Sequence, residues 1–233
     1  MHVPGYIRCE FQEESVQKND LSLRIICIII FAAEAVNLVR VLCLSSVGLE
    51  TRNNRIYFAM YCILIFLAML WLALQRSIRQ APMCRRQMVQ YVITELFFLW
   101  HLGLNTYDLI RDPRAGTTVL TTALLARSLF IQIPPWYSLC QIIVDYIIFL
   151  FSMAPLLDVG DQLNLTITFA VSLAVSMAHF RHTIISLAQR KQILQANAKL
   201  QELVKSDSLT GLLNKAAVEF QAMNCSNAGT ATG

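Results

Sequence analysis

Six long apolar runs follow one another along this chain, at about 24–47, 56–75, 88–110, 117–134, 136–156 and 162–180. Each is about 18–24 residues long, which is what about 30 Å of hydrocarbon requires at a rise of about 1.5 Å per residue. Ile56 to Leu74 holds no charged residue at all. Hydrophobic residues make up 56% of the chain and charged residues 15%, with a mean hydropathy of +0.52. Soluble domains are about a quarter charged, so a soluble globular fold is a poor fit. The predicted class is all-α, a polytopic membrane bundle of about six spans with the lipid bilayer as its partner. The net charge of +4 sits mostly in short basic clusters beside apolar runs. With no basic groove interleaved with aromatics, no nucleic-acid partner is expected.

The first residues are polar and of mixed charge (Glu10, Glu13, Glu14, Lys18, Asp20), unlike the basic lead of a cleavable signal peptide. Residues 1–23 are therefore read as a cytoplasmic tail, and 24–180 as a transmembrane input domain. Arg76, Arg79, Arg85 and Arg86 crowd the second connection, and Arg181, Arg190 and Lys191 come after the last run. The opposite side holds Arg52, Arg55, Arg111 and Arg114, then the acidic loop 158–161. That bias places both termini in the cytoplasm, as an even number of spans requires. The seven cysteines show neither a C-x-x-C pair nor Cys/His ligand spacing, so they read as small apolar side chains, with no disulfide framework and no metal site.

Pro134-Pro135 predicts a tight turn between the fourth and fifth runs, because two amide donors are lost and the preceding residue is pushed out of helical geometry. An antiparallel hairpin about that turn brings Arg127 and Asp145 to similar depth and makes them natural partners. Glu34, Asn37 and Arg40 share one broad face of the first run. His101, Asn105 and Asp108 form a stripe on the third, with Glu95 on another face. Charged groups within a bilayer are costly and face protein or water. Two readings stand: structural ion pairs that hold the bundle, or a polar cavity lined by Glu34, Arg40, Glu95 and His101 that senses a small ligand or a proton. A transport path is a third, and no repeat or matching pair of broken helices favours it. His179 and His182 are read as interfacial residues.

From 181 to 206 polar residues rise, with neither glycine nor proline. Ile193, Ala196, Leu200 and Leu203 step by three, four and three, the seam of a parallel helix pair, and a homodimer through this linker is expected. A single amphipathic helix leaving the membrane fits the same residues. The linker leads into Asp207-Ser208-Leu209-Thr210-Gly211-Leu212-Leu213-Asn214-Lys215. Thr210-Gly211 breaks the helix, and Asn214 is placed to cap a short one running to about Met223.

That stretch resembles the D-x-L-T-G-L-x-N-R signature opening the catalytic domain of GGDEF-family diguanylate cyclases, with Lys215 where the family usually has Arg. The resemblance implies the input region of a bacterial inner-membrane signalling protein whose complete form condenses two Mg-bound GTP molecules to cyclic di-GMP. It covers 207–223 as an N-terminal stub of the GGDEF domain, with Asp207, Leu209, Thr210, Gly211, Asn214 and Lys215 as an entry turn and relay. Residues 224–233 are expected to be disordered. After Asn214 the only acid is Glu219 and no Gly-Gly pair occurs. No catalytic residue, no bound cofactor and no cyclase activity are therefore expected of these residues, and the chain reads as truncated before the catalytic motif. The alternatives are the membrane input of another receptor class, such as a histidine kinase, or a small transporter.

Overall fold

A computed structural model describes residues 3–205, with side chains as far as Gln201. The stretch 207–215, the stub and the tail lie outside the described residues, as does the side chain of Leu203 in the linker seam. All regular elements among the described residues are helical. They are α1 (Arg8–Val39), α2 (Arg52–Ser77), α3 (Met83–Arg111), α4 (Thr118–Phe130), α5 (Pro135–Ser152) and α6 (Val159–Lys205). The six apolar runs each coincide with one helix over most of their length. Four helical stretches are long and apolar enough to cross a membrane: Gly5–Leu44, Arg52–Gln80, Pro135–Ser152 and Val159–Gln201.

The chain divides after Ile184. In the first unit α3 is the central helix. One core forms where α1, α2 and α3 meet, around Leu23, Cys27, Leu64, Trp71 and Phe97. A second forms where α3 meets α4, α5 and the start of α6, around Leu102, Leu124, Phe149 and Phe169. Tyr146, Phe149 and Phe169 meet there in edge-on and tilted contacts with ring centroids 5.3–5.8 Å apart. The outward residues are as apolar as the core: Ile28 is 66% exposed and Phe151 83%. Such a surface suits lipid rather than water. The second unit, from Ile185, is helical through Lys205.

Sequence punctuation sets the helix ends. Thr51 caps α2, its hydroxyl accepting the Asn54 amide at 3.3 Å. Pro135 opens α5, where its missing amide costs nothing. The widened turn Arg40–Leu44 closes α1, with the Ser45 amide reaching back to the Arg40 carbonyl at 3.0 Å.

Two boundaries differ from the sequence reading. Residues 8–23 are the opening turns of α1 and no loose tail: Phe11, Val16, Asn19 and Leu23 are buried. Phe11 meets Phe180 edge-on at 5.0 Å, and Asp20 takes both Arg86 (2.7 Å) and Gln90 (2.6 Å) from α3. A helix with buried polar partners of this kind can be charged without being solvated. The fourth run is helical only to Phe130. Residues 131–134 leave the helix, and Ile131, Gln132 and Ile133 are buried. The Asn19 side chain satisfies that exposed backbone, accepting the Gln132 amide at 2.7 Å and donating to the Gln132 carbonyl at 3.0 Å.

Candidate functional site

The residues singled out for a single intramembrane cavity go to three places. The first is an ion cluster. Arg127 of α4 reaches Asp145 of α5 at 2.6 Å and Glu95 of α3 at 3.0 Å, both through Nη1. Its guanidinium lies over the Phe98 ring, 4.6 Å from the centroid. Asp145 is fully buried, while Glu95 also borders an outer groove of about 270 Å³. The Arg127–Asp145 contact is close but badly aimed. Neither Asp145 oxygen has a hydrogen bond of good geometry, so charge, more than direction, holds the pair. The partnership of Arg127 with Asp145 is the one drawn from the proline turn; Glu95 joins it from α3.

His101 lies on an apolar cavity of about 520 Å³ between α1, α3 and α4, whose wall Arg127 also joins. Its Nδ1–H donates to the Phe97 carbonyl at 2.6 Å, and in the neutral ring Nε2 is then an acceptor. Its two neighbours on the α3 stripe serve other partners. Asn105 ties the loop before α4, donating to Gly116 O at 2.9 Å and accepting the Leu120 amide at 3.2 Å. Gly116, at φ +71°, makes the left-handed turn that presents this carbonyl. Asp108 accepts a short hydrogen bond from the Tyr57 hydroxyl.

The third place is a polar cavity of about 560 Å³ where the end of α1, the start of α2 and the end of α3 come together. Asn37 and Arg40 line it, and Glu34 lies behind them, buried, with Asn37 donating to its carboxylate at 3.2 Å. Arg40 donates to the Tyr61 hydroxyl at 3.4 Å and Arg111 to the Tyr57 hydroxyl at 3.1 Å. The Arg111 guanidinium also sits 5.5 Å from the Tyr57 ring centroid. Among the described residues neither guanidinium has an ion-pair partner.

Sequence reasoning missed Tyr57, Tyr61 and Asn54 here. A phenol at the end of an apolar helix is an ordinary interfacial residue by pattern, and its convergence with two arginines depends on how three helices pack. Among the described residues no three His, Cys, Asp or Glu side chains gather as a metal site. No family model matches the sequence, and no curated protein or solved structure matches it either.

Proposed function

We propose that this chain is the membrane input region of a signalling protein of the GGDEF diguanylate-cyclase type. The observation that carries the reading is α6, a single uninterrupted helix of 47 residues from Val159 to Lys205. Its first half is apolar and its second half polar, so one unbroken helix can join a membrane segment to a cytoplasmic one. Ile193, Ala196 and Leu200 of the expected seam are all exposed, Ile193 by 60% and Leu200 by 58%. They are free to meet the same residues of a second copy, as a homodimer requires. The short signature at 207–215 supplies the family; the Mg and GTP chemistry belongs to the complete domain of the resemblance.

In this reading all six helices cross the inner membrane and both termini lie in the cytoplasm. α3 is too polar to qualify by composition, yet its polar residues Gln90, Thr94 and Asn105 are buried against other helices, while Val92, Leu96 and Ile110 face outward. α4, at 13 residues, covers only about 20 Å as helix, and four extended residues add about 13 Å. A fluorescent protein fused after Ser206 is then expected to be bright, and alkaline phosphatase inserted after Glu50 active. The reverse pattern would remove the orientation and the six passes together.

The relay has its own test. Residues 1–206 fused to a complete GGDEF domain should give cyclic di-GMP output that depends on the rotational phase of the linker. Two alanines inserted after Gln189 turn the rest of the helix and the fused domain by about 200°, whereas seven residues bring the seam back to within about 20°. Output is expected to shift several-fold with two and to return near its starting level with seven. Identical output from both insertions, or none under any condition, would sink the relay.

A further inference from the structure

We propose that the polar cavity at the meeting of α1, α2 and α3 binds an organic oxyanion, a carboxylate or a phosphate, between Arg40 and Arg111. Hydrogen-bond donors are in surplus there. A guanidinium offers five N–H donors and no acceptor. Arg40 uses one on Tyr61 at 3.4 Å and Arg111 one on Tyr57 at 3.1 Å. Among the described residues neither guanidinium makes a further hydrogen bond to the lining. Asp108, the one carboxylate in the lining, receives the Tyr57 hydroxyl. Asn54 spends its amide on Ser45 Oγ (3.2 Å) and Gly48 O (2.6 Å), and Asn37 donates to Glu34.

The lining carries two guanidinium groups and the Asp108 carboxylate, with the Glu34 carboxylate behind Asn37, and the Tyr61 hydroxyl still has a proton to give. A ligand that completes this set must bring acceptor oxygens; a pure donor would leave the guanidinium hydrogens unmatched. The planar fork of each guanidinium suits a carboxylate or phosphate. At about 560 Å³ the space exceeds that of an inorganic ion and falls in the range of sites for small organic molecules. The stacked Tyr57 and Tyr61 rings, with centroids 6.1 Å apart, give an apolar wall for the body of such a ligand.

Binding of this kind does not depend on the signalling reading, which supplies only its consequence: the ligand would be taken from the side opposite the termini. Binding without a change in output would leave the site standing and remove its role as an input.

The test uses the full chain in nanodiscs of phosphatidylcholine, with fluorine NMR line broadening of 4-fluorobenzoate and of fluorophosphate as probes. At least one anion is expected to broaden, and 4-fluorobenzylamine is not. Arg40→Gln and Arg111→Gln should each weaken binding about tenfold or more, the effect of losing a charged hydrogen bond. Arg55→Gln, an exposed arginine outside the lining, should leave it unchanged. Should Arg40→Gln fail to fold, Arg111 is exposed at the end of its helix and decides alone.

Repeating the titration in phosphatidylglycerol discs separates the sources. Broadening that persists points to a soluble anion, and broadening that disappears points to a lipid headgroup phosphate as the occupant. Both support the oxyanion site. Failure of both anions to bind in phosphatidylcholine, equal binding of the amine, or indifference to both substitutions would overturn it.

Discussion

Replacing Arg127 with methionine is expected to cost about 3–5 kcal/mol of stability, the range for breaking a buried ion pair from one side. Among the described residues Arg127 is the only cation on two carboxylates, Asp145 at 2.6 Å and Glu95 at 3.0 Å, and Asp145 has no access to solvent. Each close contact is worth about 4 kcal/mol at an effective dielectric of about 20, and most of that offsets desolvation of the charges. Removing the cation takes away the attraction and keeps the desolvation, and it adds repulsion between the carboxylates. Thermal unfolding of the purified chain in detergent measures the loss. The sharper version is the series. Arg127→Met with Glu95→Leu and Asp145→Leu should return to within about 1–2 kcal/mol of the parent, because an apolar replacement of a whole buried cluster is often neutral. If Arg127→Met alone melts with the parent, the cluster is not what joins α3, α4 and α5.

A second large effect is expected at Asn19. Asn19→Leu should destabilise the fold by about 2–4 kcal/mol, since the Gln132 amide and carbonyl both lose their partner in a buried setting. The substitution keeps the side-chain size and adds apolar surface, so any loss reports the missing hydrogen bonds and not a cavity. Asn19→Asp keeps an acceptor for the Gln132 amide but gives up the donor and brings a charge, and it should be no better than leucine. Proteolysis between Phe130 and Pro134 gives a local readout, because the unsatisfied link would open before the helices do. An Asn19→Leu protein as stable and as resistant as the parent would show that the link holds itself.

Legibility in the sequence differs between these sites. The pairing of Arg127 with Asp145 was legible because two prolines at a known position fix the depth of residues on either side. Glu95 was not, since its place in the cluster depends on the rotation of α3 about its axis, and no local pattern sets that. The stripe of His101, Asn105 and Asp108 shows the same limit. On the helix the three residues are neighbours; in the fold they face an apolar cavity, a loop and a tyrosine. The opening turns of α1 were legible in part. Phe11, Ser15, Val16, Asn19 and Leu23 recur at helical spacing and all are buried, but the surrounding charges led to 1–23 being read as a cytoplasmic tail. Asp20 is met by Arg86 and Gln90 of α3, Lys18 pairs with Glu14 on α1 itself, and the uncharged Asn19 holds the link after α4.

The sequence by itself determined an all-helical chain with apolar segments of membrane-spanning length, the break at Pro134-Pro135, and a helix through the linker. Each rests on local chemistry: hydropathy over a window, a missing amide, the absence of glycine and proline. Tertiary structure alone decided which helix sits at the centre and which polar groups meet. α3 can carry Gln90, Glu95, His101 and Asp108 because the sides that hold them pack against other helices, and Arg40 and Arg111 face one cavity because three helix ends converge there. Side-chain periodicity says which residues share a face. Only packing says what that face meets.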